Sequence, residues 1–167
     1  MEHKSKLRLY ANLKTKLEPE LYLGHENFRN NRRLFTMLRC GTNNLRIETG
    51  RWKKEPLEKR VCDICLAGQV EDEMHFLLYR GVYDAARERM YDDIFRATGH
   101  KLDVRLMRND RTWMMDVLIG HGLKKFRQEI LRAVRTYLAQ ANTDIIRKYS
   151  VTGSRIACVL VNCCSHR

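Results

Sequence analysis

Residues 61–84 read VCDICLAGQVEDEMHFLLYRGVYD, and the rest of the chain is best read outward from them. Two cysteines stand two residues apart, an acidic turn follows, and a histidine then falls inside an apolar run. Cys62, Cys65 and His75 are three ligands in the right order for a zinc site, which in structural form normally takes four. The two-residue gap lets both thiolates face one ion. The nine residues before His75 supply a turn and the start of a helix that bring the imidazole back. The alternative is two small buried cysteines and a histidine at the edge of the core. VEDEMHFLLY predicts a short helix, with Glu71, Asp72 and Glu73 in a first turn whose dipole favours acids. Met74, Leu77 and Leu78 form its apolar stripe, and Gly81 ends it.

On both sides the apolar spacing is helical. Leu7, Tyr10, Leu13 and Leu17 predict a helix over 5–17, stopped by Pro19. Phe28, Asn31, Leu34, Phe35 and Leu38 predict another over 27–39, with Gly41 at its C-terminal cap. NNLRIETGRWKKEPLEKR is less regular and reads as a short extended piece, a turn at Gly50 and a basic loop around Pro56. Downstream, Tyr83, Ala86, Met90, Ile94 and Ala97 mark a helix that stops at Gly99. Asp110 can cap the next, with Trp113, Met114, Val117 and Leu118 on one face. The longest helix is expected over 123–149, on Phe126, Ile130, Val134, Tyr137, Ala141 and Ile145. The fold class is therefore mostly α: a single small helical domain over 1–149, with a short irregular zinc-knuckle-like segment at 61–84 and a long C-terminal helix. Residues 150–167 change character, being poor in charge and rich in cysteine. They read as a poorly ordered tail in which IACVLV alone has strand character.

Composition narrows the function. Of 167 residues, 44% are apolar and only 2 are proline, so most of the chain should fold. No apolar run is long enough to span a bilayer, so no membrane partner is expected. The first residues lack an apolar signal core, which implies an intracellular protein of the nucleus or cytoplasm, whose 6 cysteines stay reduced or bind metal. Net charge is +12, and residues 1–60 hold 15 Lys and Arg against 7 Asp and Glu. A field of that sign favours a polyanion. Arg29, Arg32, Arg33 and Arg39 lie largely off the stripe of the second helix, and Arg46, Arg51, Lys53 and Lys54 follow with Trp52 among them. Such side chains contact phosphates, and an exposed indole stacks on unpaired bases. The competing reading makes the arginines a solvated face paired with Glu26 and Glu48, and makes Trp52 a core anchor. For Trp52 the weighing favours the core.

NFRNNRRLFTMLRCGTNNLRIETGRW, then RVCDIC, then EDEMHFLLYRGVYD together resemble the zinc-binding region downstream of the reverse transcriptase domain in LINE-type (non-LTR) retrotransposon polyproteins. The resemblance spans roughly residues 5–149 and is most specific over 28–84. It implies contact with RNA or single-stranded DNA and, in an intact element, a reverse transcriptase domain as partner. It also implies a ligand order of Cys, two residues, Cys, then His, four residues, Cys. Cys62, Cys65 and His75 fill the first three places, and the fourth falls on Arg80. An arginine keeps its proton and cannot ligate, so the pattern favours zinc while the missing ligand opposes it. Cys40, His25, Cys163, Cys164, His166 or water are the substitutes.

No catalysis is expected. HExxH is absent, and zinc deaminases place His-x-Glu ahead of the cysteine pair rather than after it. A thioredoxin-like role would need the pair to open a helix after a strand. MYDDIF at 90–95 superficially matches a polymerase metal motif. Asp92 and Asp93 fall on a predicted helix as its solvated face, and a polymerase needs far more chain. The expected function is a retrotransposon-derived nucleic-acid-binding module with a degenerate zinc site. The alternatives are a helical scaffold for a partner protein, and a non-functional relic of a decayed polyprotein.

Overall fold

A computed structural model describes residues 7–14, 17–23, 29–65 and 67–141. The described chain is helical, and its only β pairing there is an isolated antiparallel bridge between Val61 and Val70. Six α-helices run in order: α1 Arg8–Leu13, α2 Arg29–Cys40, α3 Arg46–Trp52, α4 Asp84–Ala97, α5 Arg111–Ile119 and α6 Arg127–Gln140. A five-residue π turn, His75–Tyr79, precedes α4. α6 is the centre of the packing, with α4, α5 and α2 laid against it and α1 against α2. Leu34, Phe35 and Leu38 of α2, Met90 and Ile94 of α4, and Ile130, Val134, Tyr137 and Leu138 of α6 are buried together, as their spacing predicts.

Three elements differ from the sequence reading. α1 ends at Leu13 rather than near 17, and Leu17 is fully exposed at 104%. The final helix begins after a short 3₁₀ turn at Lys124–Phe126, and Leu123 takes a left-handed φ of 50° where the chain re-enters. Its predicted continuation through Ile145 to Tyr149, and the tail with IACVLV, lie outside the described residues. The third difference is largest: residues 46–52 form α3, not an extended piece with a turn at Gly50. Gly50 sits inside this helix because Arg60 crosses its face. A Cβ there would stand 2.6 Å from Arg60 Cγ and 2.9 Å from Glu55 Oε2. Arg60 cannot swing clear, since Nε and Nη2 donate to the Glu55 carbonyl at 2.9 and 2.7 Å and Nη1 to the Ile47 carbonyl at 3.1 Å.

The π turn is held by side chains from both long helices. The Tyr137 hydroxyl on α6 donates to the Phe76 carbonyl at 2.8 Å. Arg87 on α4 donates from Nε to the Leu77 carbonyl at 2.7 Å and from Nη2 to the Arg80 carbonyl at 2.9 Å. Phe76, Tyr83 and Tyr137 meet edge to face, with ring centroids 5.8 to 6.1 Å apart. Burial raises the Tyr137 phenol to about 12, so the hydroxyl stays a donor at any ordinary pH.

Two substitutions test this arrangement. Gly50→Ala should destabilise by about 1–3 kcal/mol through overpacking, although alanine is the better helix former by about 0.5–1 kcal/mol. Tyr137→Phe should cost about 1–3 kcal/mol, because the Phe76 carbonyl is left buried and unpaired. Urea unfolding followed by far-UV circular dichroism reads both, and a more stable Gly50→Ala protein would mean that Arg60 does not occupy that face.

Candidate metal centre and basic surface

The backbone folds the cysteine pair back on itself. The Cys62 N–H donates to the Gln69 carbonyl and the Glu71 N–H to the Arg60 carbonyl, both at 2.9 Å, on either side of the Val61–Val70 bridge. This short ribbon presents Cys62 at its end and Cys65 in the turn. His75 comes from the π turn, whose entry is capped by Asp72: Oδ1 accepts from the His75 N–H at 2.7 Å. The ligand atoms of Cys62, Cys65 and His75 all lie within 4.8 Å of one another, so the three could hold one metal ion. Cys62 and His75 are buried and Cys65 is half-buried.

The donor set fits a metal chemically. Gln69 Oε1 stands 3.2 Å from His75 Nδ1, and a carbonyl oxygen can only accept, so Nδ1 carries the proton. The lone pair is then on Nε2, 3.2 Å from Cys65 Sγ. A hydrogen bond that fixes the tautomer and aims the free nitrogen is the usual support of a ligating histidine. Burial pushes the His75 imidazole below its ordinary value, with Asp72 opposing the shift and Arg87 adding to it. The neutral form is the one that ligates.

Arg80, at the place where the resemblance puts a fourth ligand, is 0% exposed. The π turn explains why that place lies near the site: the Arg80 N–H donates to the His75 carbonyl at 2.8 Å, so residues 75 and 80 are one π turn apart. The guanidinium does not stand bare beside the thiols. It is ion-paired with Glu71 and packs 5.4 Å over the Phe76 ring and 5.8 Å over Tyr83. Glu71 in turn has Oε1 3.7 Å from Cys62 Sγ, and its Oε2 accepts from the Arg46 N–H at 2.7 Å. Glu71 lies ahead of the helix rather than in its first turn, and Glu73 opens it. Both are buried, and Glu73 accepts from Asn43 Nδ2 at 3.0 Å and pairs with Arg8. Neither Glu71 nor Gln69 carries a signal of its own in the sequence. Glu71 could be found only by asking what would neutralise a cation at position 80. Of the substitute ligands, Cys40 is not in the cluster, and His25, Cys163, Cys164 and His166 lie outside the described residues.

The basic residues separate into structural and surface groups. Arg39 does not face solvent: it is 0% exposed, donates to the Ile119 carbonyl, pairs with Glu20 at 3.0 Å, and lies 5.8 and 5.6 Å from the Tyr10 and Tyr22 rings. Its position on α2 turns it towards the end of α5, whose last carbonyls need donors. Arg46 is engaged locally with Glu55 at 2.8 Å and Asp63 at 3.7 Å, and Arg51 with Glu48 at 2.8 Å. Arg32 is half-buried and donates to the Leu23 carbonyl at 3.1 Å. Arg29 opens α2, but its side chain lies outside the described residues. Arg33, Lys53 and Lys54 are exposed. Trp52 is exposed as well, at 55%, and is not the core anchor that its residue type suggests. Ile47, on the other side of this short helix, is the residue that packs inward. Lys59, which no motif in the sequence singles out, is exposed on a turn that packs against α3.

Removing the Gln69 carbonyl tests the metal geometry. Gln69→Ala should weaken binding of a divalent metal about 10- to 100-fold, measured by competition with a chromophoric chelator, while leaving the helical signal unchanged. Undiminished affinity would mean that His75 is not oriented through Nδ1.

No protein-family model matches the chain, and neither the curated proteins nor the solved structures contain a significant match to it.

Proposed function

We propose that this chain is a non-catalytic module that binds RNA or single-stranded DNA, carries a zinc site on Cys62, Cys65 and His75, and derives from a LINE-type retrotransposon polyprotein. The observation that carries the binding reading is the exposed indole of Trp52, followed directly by the exposed Lys53 and Lys54 at the end of α3. The Trp52 ring offers a flat apolar face to solvent with a cationic edge beside it. An unpaired base stacks on such a surface while lysines meet the adjoining phosphates. Exposed Lys59 on the neighbouring turn extends the same basic surface. Two thiolates and an imidazole form a soft donor set, which favours zinc over the hard cations. The retrotransposon origin is supported by the order of the cysteine pair, acidic turn and HFLL. In an intact element, such a module would hold template RNA beside the reverse transcriptase domain.

The test is titration with single-stranded RNA across a salt series. Trp113 is half-buried on α5, so a Trp113→Phe background leaves Trp52 as the only tryptophan reporter. Its fluorescence should be quenched on binding, and Trp52→Ala should cost about 1–3 kcal/mol of affinity. Neutralising Lys53 and Lys54 should lower the salt slope by about 0.7 for each phosphate that the protein no longer neutralises. Binding that ignores both salt and Trp52 would leave the helical scaffold as the better reading.

A further inference from the structure

The zinc site proposed above has three protein donors where four are usual, and among the described residues the polar groups around it are engaged elsewhere. Gln69 Oε1 is committed to His75 Nδ1, and Asp72 Oδ1 to the His75 N–H. Glu71 Oε1 lies 3.7 Å from Cys62 Sγ, but that oxygen faces Arg80 and the other accepts from the Arg46 N–H. Turning Glu71 onto a metal would strip a fully buried guanidinium of its counter-charge and leave the first amide of α3 without an acceptor, both costly inside a protein. Among the described residues the cluster contains Cys62, Cys65 and His75 and nothing more. On the other side, Cys65 is half-buried and Asp63, Ala67, Gly68 and Gln69 are exposed, so that edge of the site is open to solvent.

We infer that the Arg80–Glu71 pair packs beside the three donors without ligating, and that the metal keeps one coordination position, on the solvent-open edge, for an exchangeable soluble ligand. The pair is neutral as a unit, and two thiolates balance a divalent ion. The site therefore accepts a further donor without an unmatched cation beside it. The donors already present select a thiophilic metal, so the class of ligand that fits is a small thiol. It binds as thiolate, its sulfur forming the fourth bond, its proton passing to buffer and a bound water leaving. Arg80 acts through Glu71 as a positioning residue and touches neither metal nor ligand. This inference rests on the metal reading of the three residues, and the experiment separates the two.

The full chain is loaded with Co2+, and the thiolate-to-cobalt charge-transfer band is followed while 2-mercaptoethanol is added. The unmodified protein should start with the intensity of two thiolates. It should gain about one half, saturably, as a third thiolate joins the tetrahedral site. Arg80→Cys should show the higher intensity from the start and no response to added thiol. Because that change leaves Glu71 without its partner, Arg80→Cys combined with Glu71→Gln provides the same readout in a fold that keeps an acceptor for the Arg46 N–H. An unmodified protein that already has three-thiolate intensity and ignores added thiol draws a fourth donor from its own chain, and this inference fails while the metal reading stands. A protein that takes up no Co2+ at all overturns the metal reading, and the open position with it.

Discussion

Three backbone carbonyls, two within the π turn and one just after it, tie that turn to the two long helices. A π turn breaks the regular ladder and leaves acceptors that no residue of the same turn can reach. Here the Phe76, Leu77 and Arg80 carbonyls are met by Tyr137 from α6 and Arg87 from α4. The same turn carries His75 to the cysteines and Arg80 to Glu71. The knuckle is thus bolted to the two longest described helices by charged and phenolic donors, and the Phe76, Tyr83 and Tyr137 rings close over the joint.

The strongly basic composition is therefore less of a surface property than it looks. Arg39, Arg80, Arg87 and Arg127 are all buried. Arg39 and Arg127 serve the end of α5, where the Ile119 and Val117 carbonyls accept from them. Burial, with Arg39 nearby, lowers Arg127 to about 10, which leaves it charged at neutral pH. Guanidinium suits this work because its planar fork donates in several directions at once, whereas an ammonium would be harder to desolvate. Among the described residues, six lysines and six arginines are left exposed, with Lys53 and Lys54 beside Trp52.

The helices with a clean apolar stripe are legible in the sequence. α4 ends beside Gly99, and Asp110 caps α5 by accepting from the Trp113 N–H at 2.8 Å, both as spacing and residue type predict. The cluster of Cys62, Cys65 and His75 is legible too, because its chemistry is carried by residue type and order. The failures share one cause, which is a long-range partner that local pattern cannot reveal. Gly50 reads as a turn until Arg60 is seen lying across it. Arg39 reads as a surface cation until the α5 terminus is placed beside it. Trp52 reads as core because tryptophan is so often buried, yet it is the last residue of α3, and Ile47, Glu48, Thr49 and Gly50 ahead of it are the buried ones. Arg80 reads as the loss of a ligand, whereas its partner Glu71 lies nine residues back and on the other side of the histidine.

The π turn also sets how the chain can vary in length. A π turn is an α-helix holding one residue too many, and each residue of a regular helix accounts for about 100° of rotation and about 1.5 Å of rise. Deleting any one residue between His75 and Arg80 would let the segment relax to ordinary helical spacing. The Arg80 N–H would then lose its bond to the His75 carbonyl five residues back, and the Phe76 and Leu77 carbonyls would turn into the regular ladder, away from Tyr137 and Arg87. The turn beyond Cys65, by contrast, reaches into solvent at Ala67 and Gly68. Extra residues there would lengthen a surface loop without disturbing what lies beneath. Two neighbouring stretches thus stand under opposite constraints: one must hold a fixed number of residues, and the other is free to change length.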